Sequence, residues 1–148
     1  MQSPDDPKRN PYTAAQGMGG HDWHEITART PEKLERFNAA MTAKWNQAPM
    51  LGTYPFDTLV EASQEAEDSG RVFVVDVGAA IGAAMKELRE AVPQLKGRIV
   101  VQDQERVIKA IPEGFLPSSI EPMVHDFYSP QPVKGAKVYS IRRVLHDW

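Results

Sequence analysis

The chain has 148 residues, 41% hydrophobic and 25% charged, with a net charge of −3; this suffices for one domain with a real core, and the interspersed charges lack the basic stripe that nucleic-acid binding leaves. It has no cysteine, which excludes disulfides, thiolate catalysis and cysteine-ligated metals. No apolar run approaches a membrane span, and the opening "MQSPDDPKRNPYTAAQGMGG" lacks the apolar region of a secretory signal, so a cytoplasmic protein that binds neither membrane nor nucleic acid is expected.

In chain order, residues 1–30 are polar and rich in Pro and Gly and read as a linker or arm. "TPEKLERFNAAMTAKWNQ" then predicts a helix: Thr30 as N-cap, Pro31 at its first position and Glu32 at its positive end. Leu34, Phe37, Met41 and Trp45 share one apolar face of it. A second helix is predicted over residues 56–68, stopping near Gly70. "RVFVVDVG" reads as a strand buried on both faces, followed by a helix in "AAIGAAMKELREAV" that Pro93 closes. "GRIVVQD" is a second buried strand, "QERVIKAI" a short helix, "IEPMVHDF" a third strand despite Pro122, and "AKVYSIRR" a fourth. Strands alternating with helices at this spacing predict parallel βαβ units.

The chemistry centres on "VVDVGAAIG" followed by "VVQD". A buried strand entering a glycine turn and then a helix lets backbone N–H groups approach a ligand, with the positive helix end beside them. Gly78 and Gly82 mark this turn. Asp103, ending the next strand, can accept both hydroxyls of a ribose, as nucleoside-cofactor sites do at the carboxyl edge of an open sheet. The spacing does not match G-x-G-x-x-G, and a simple packed turn also satisfies it. Asp76 sits within the apolar run and needs hydrogen bonds there; bonding the N–H groups of the following turn would shape the site. In "HDF", Asp126 can accept from an adenine amino group and Phe127 can lie against the ring, or the stretch is a strand end with a cap. His146 in "LHDW" suits a general base by its pKa range, or is a bystander near the chain end. The similar "HDWH" at 21–24 has no strand before it and reads as a chance echo.

Taken together, "RFNAAM", "VVDVGAAIG", "GRIVVQD", "EPMVHDF" and "PQPVKGAKVYSIRRVLHDW" resemble the S-adenosylmethionine (SAM)-dependent O-methyltransferases of the caffeate/hydroxyindole type, fungal secondary-metabolism branch. The resemblance implies an α/β chain: a partial Rossmann-like SAM methyltransferase domain with parallel strands, preceded by two helices. Residues 31–70 would line the acceptor pocket and residues 71–148 would form the N-terminal part of the SAM-binding domain. It places Gly78 at the methionine part of SAM, Asp103 on the ribose, Asp126 and Phe127 at the adenine, and Arg142 as a basic residue near the cofactor. Phe37 and Met41 would line the acceptor pocket, His146 would be the catalytic base and Asp147 would help hold the acceptor. No metal is implied. The implied reaction transfers a methyl group to a hydroxyl of a small aromatic or polyketide-type metabolite.

Three departures from the family shape the expectations. Alanines at 79 and 80 replace turn glycines; if either needs positive φ, the strain is about 1 kcal/mol. The family's N-terminal dimerisation domain has no counterpart, and the family continues beyond position 148. The chain therefore reads as a fragment, with the fourth strand an apolar edge suited to dimerisation or other association. The alternative is a catalytically dead remnant that binds SAM or pairs with a full-length enzyme.

Overall fold

The computed structural model describes residues 8–47, 51–52 and 54–145, with side chains for these apart from residues 24, 38 and 41–47. They fall into two compact units, one within residues 8–47 and one within residues 51–145.

In the first unit, residues predicted as an arm carry two short helices. In α1 (Pro11–Ala15) the Asn10 side chain accepts the Thr13 N–H at 2.9 Å, and Thr13 Oγ1 accepts the Asn10 N–H at 3.2 Å. In α2 (Trp23–Ala28) Asp22 Oδ1 accepts the Glu25 N–H at 2.8 Å, while Glu25 Oε2 accepts the Asp22 N–H at 3.0 Å. These reciprocal capping boxes satisfy otherwise orphaned donors, and they correct the arm reading for this stretch. The "HDWH" stretch opens α2, with Asp22 as its N-cap. The bond from Asp22 also holds the Glu25 carboxyl below its ordinary pKa. The Thr30 carbonyl accepts the Leu34 N–H at 3.0 Å, which places Thr30 ahead of α3 (Pro31–Gln47) as predicted. Phe37 packs edge-on against Trp23, ring centroids 4.7 Å apart.

The second unit runs through a 3₁₀ turn (Phe56–Leu59), α4 (Val60–Asp68), β1 (Val72–Val77), α5 (Ala83–Ala91), β2 (Arg98–Asp103), α6 (Glu105–Ile108), β3 (Ile120–Val124) and β4 (Val138–Ile141). The strands form one sheet in the order β3-β2-β1-β4, every pair parallel. All the carboxyl ends therefore meet at one edge. Central strands β1 and β2 are buried almost throughout, which explains their unbroken valine-rich runs. Pro122 is accommodated because β3 lies at the sheet edge, where a missing N–H need not break a ladder. The helical stretch over residues 56–68 lies in this unit with the sheet. Ser63 in α4 is fully buried and its Oγ accepts the Lys96 N–H at 2.9 Å. Gly97 packs so closely here that a Cβ would lie 3.0 Å from Phe73 Cβ and 3.2 Å from the Ser63 carbonyl. Among the described residues no helix is long and apolar enough to cross a membrane.

Candidate functional site at the carboxyl edge of the sheet

The turn after β1 occupies Gly78–Gly82, and α5 begins only at Ala83, later than the predicted helix. Two left-handed residues in the turn delay it: Ala80 (φ 52) and Gly82 (φ 79). Gly78 is also left-handed (φ 68), and a Cβ there would lie 2.4 Å from Val144 Cγ2. No side chain larger than hydrogen fits without movement, so the glycine lets the segment after β4 press against the turn. Of the two alanines, Ala79 turns its methyl inward and is only 3% exposed. The conformational strain falls on Ala80. Arg143, beside Val144, is also a non-glycine residue with positive φ (56), so both segments that meet here carry backbone strain.

The turn is fastened to the end of β2. The Gln102 carbonyl accepts the N–H groups of Gly78 and Ala79 at 2.8 and 3.0 Å. Asp103 Oδ2 accepts the Ala80 N–H at 2.8 Å, and Oδ1 accepts the Gln104 N–H at 2.8 Å. Those contacts leave no role for Asp76 in bonding the first amides of the turn, which corrects that expectation. Asp76 instead bonds Ser140, its register partner on β4. Burial pushes the Asp76 carboxyl up to about 6, opposed by the Ser140 hydrogen bond and by Arg142, and reinforced by the Asp103 charge. Two carboxyls and a guanidinium thus share this edge, and low solvent exposure strengthens their interaction.

Beyond β3 the chain stays close to Asp103, whose carbonyl accepts the His125 N–H at 3.0 Å. Asp126 closes a turn: its Oδ1 accepts the Tyr128 N–H at 3.1 Å and its carbonyl accepts the Ser129 N–H at 2.8 Å. Phe127 stacks at a tilt on Tyr128, centroids 4.7 Å apart. It also lines a cleft of about 330 Å³ with Val77, His125, Gln131, Ser140 and Ile141. Among the described residues no cluster of His, Asp and Glu is arranged to hold a metal.

Asp76, Gly78, Gly82, Asp103, Asp126, Phe127 and Arg142 therefore all belong to the one sheet edge. Phe37 lies in the first unit, against Trp23; Met41 lies in α3 with its side chain outside those described, and His146 and Asp147 fall outside the described residues. Sequence reasoning missed Ser140, Gln102, Gln131 and Val144. Gln102 had a signal, a lone amide in an apolar run. Ser140 had none, because its pairing with Asp76 depends on the register of β4 against β1.

An O-methyltransferase domain model matches residues 3–148. O-methyltransferase kntB of Aspergillus niger is 37% identical over 152 residues, covering 99% of this chain and 35% of the relative. The solved structure of LepI in complex with SAM is 33% identical with a TM-score of 0.73, covering 97% of this chain and 36% of that one. OxaC in complex with sinefungin and meleagrin is 29% identical with a TM-score of 0.76, covering 99% and 36%. The chain spans about a third of the length of such relatives. The matched sequence and the edge-of-sheet geometry agree: this chain belongs to the O-methyltransferase family.

Proposed function

We propose that the chain carries the cofactor site of a SAM-dependent O-methyltransferase that methylates a hydroxyl of a small aromatic or polyketide-type metabolite. The observation that carries the reading is the bond between Asp103 and the glycine turn, which brings the ends of β1 and β2 together around one carboxylate. The residues fit a nucleoside cofactor. Each Asp103 oxygen accepts one backbone N–H, and a carboxylate has about four acceptor sites, so capacity remains for both ribose hydroxyls. The start of α5 has no side-chain cap; the Met85 N–H bonds the Gly82 carbonyl, so the Ala83 and Ala84 N–H groups are the ones offered to a carboxylate.

When bound, SAM supplies a methyl group already activated on a sulfonium. The chain orients it. Asp103 holds the ribose, Asp126 and Phe127 border the adenine, Gly78 and Gly82 shape the turn at the amino-acid end, and Asp76 and Arg142 set the local charge. His146 would accept the proton of the acceptor hydroxyl, Asp147 would help hold the acceptor, and Phe37 and Met41 would line the acceptor side. The outer edge of β4, where Tyr139 and Ile141 are 46% and 43% exposed, serves association with a further strand.

Incubation with methyl-labelled SAM and a panel of phenols tests the reading. Label should appear in a methyl ether, matched by S-adenosylhomocysteine (SAH), and His146→Ala should lower the rate about 10²–10⁴-fold. A chain that binds SAH yet labels no acceptor would sink the transferase reading and leave the SAM-binding remnant.

A further inference from the structure

Gln102 is fully buried in a strand whose neighbours Val100 and Val101 are also fully buried. A leucine would pack there at no polar cost, so the amide calls for an explanation. It faces Gln131 in a reciprocal pair. Gln102 Nε2 donates to Gln131 Oε1 at 2.8 Å, and Gln131 Nε2 donates to Gln102 Oε1 at 2.8 Å. The Val133 N–H donates to Gln131 Oε1 at 3.0 Å, which fixes which way round both amides stand. Gln102 also contacts Met123 Sδ at 3.3 Å.

The placement of the pair gives it a use. Gln102 directly precedes Asp103, and its carbonyl already holds the turn after β1. Gln131 lies six residues after His125, whose N–H bonds the Asp103 carbonyl. Residues 126–130, with Asp126 and Phe127, are therefore tied at both ends to the last two residues of β2. The next tie along the chain is the Tyr139 hydroxyl, donating to the Val133 carbonyl at 2.8 Å.

We propose that Gln102 and Gln131 are positioning residues, whose reciprocal amide pair holds the Asp126–Phe127 segment in register with Asp103 so that the ribose and adenine contacts form as one unit. The inference rests on the cofactor reading above. It touches no reacting atom and acts through the segment it holds.

Two variants of the full chain test it, with circular dichroism to check the fold. In Gln131→Leu the pair is lost. The Tyr128 and Ser129 amides should exchange hydrogen roughly tenfold faster, core amides such as Val100 should be unchanged, and SAH should bind roughly tenfold more weakly. In Gln131→Glu the ionised side chain can only accept, whereas the protonated acid can donate to Gln102 Oε1 and accept from Nε2 together. Its SAH affinity relative to the unaltered chain should therefore recover between about pH 8 and about pH 5, while the ratio for Gln131→Leu stays flat. A merely structural role would not produce that recovery. Unchanged exchange at Tyr128 and Ser129 in Gln131→Leu, or a flat ratio for Gln131→Glu, overturns the proposal. Undiminished SAH binding by Gln131→Leu defeats the proposal alone; no SAH binding by the unaltered chain defeats the cofactor reading and the proposal with it.

Discussion

Replacing Gly78 with alanine loads two separate costs onto the turn, and the structure allows them to be separated. Alanine at φ 68 carries about 1–2 kcal/mol of left-handed strain, offset by about 0.4–1 kcal/mol because alanine restricts the unfolded chain. The new Cβ would stand 2.4 Å from Val144 Cγ2 and 3.3 Å from Cγ1, where carbon atoms prefer about 3.5–4.0 Å. Forcing that gap open adds about 1–3 kcal/mol, for a total loss of about 1–5 kcal/mol. Val144→Ala alone removes two methyl groups from a residue that is 9% exposed, costing about 1.6 kcal/mol. The double variant removes the clash and keeps the strain, so it should be more stable than the sum of the singles implies by about 1–3 kcal/mol. Urea unfolding followed by circular dichroism reads this coupling. Additivity to within about 0.5 kcal/mol would mean that the segment after β4 does not press on the turn, and the packing that brings it to the site would be wrong.

The adjacent alanines should respond with opposite signs. Ala80→Gly relieves about 1–2 kcal/mol of strain against an unfolded-state cost of about 0.4–1 kcal/mol, a net gain of about 0.5 kcal/mol, whereas Ala79→Gly removes a buried methyl and should lose about 1–2 kcal/mol; equal losses from both in thermal unfolding would refute the assignment of strain to Ala80. Asp76 gives a pH signature. Its carboxyl rises in the folded chain from 3.8 to about 6, so the folded state holds an extra proton in that window and stability falls as pH increases through it, by about 3 kcal/mol in all. Asp76→Asn should flatten this segment of the profile and stabilise the chain above about pH 6; parallel profiles for the two proteins would count against a buried, desolvated carboxylate.

The parts of the fold visible in the sequence were those fixed by short-range pattern. The valine runs of β1 and β2 signalled strands covered on both faces, and the helical spacing of Ala84, Met85 and Leu88 signalled the buried face of α5. The start of α5 is not legible in the spacing, because Ala79–Gly82 continues the apolar pattern while its backbone turns left-handed at Ala80, and spacing carries no φ. The helices at Pro11–Ala15 and Trp23–Ala28 leave little periodic signal because few apolar residues mark them, although Asp22 and Glu25 stand at the spacing of a capping box. At the site, Gly78 and Asp103 announced themselves by position after a buried strand. The partners of Asp76 and Gln102 did not, since Ser140 and Gln131 come from the far side of a crossover and meet them only through strand register and loop closure.

Calorimetric titration of the chain with SAH tests the central claim most directly, with Asp103→Asn as the comparison. One site per chain should be filled, and the variant, which weakens the carboxylate's hold on the ribose hydroxyls and on the Ala80 amide, should bind at least about tenfold more weakly. A folded chain that takes up no SAH, or an Asp103→Asn variant that binds as tightly as the unaltered chain, would contradict the assignment of this sheet edge as the cofactor site.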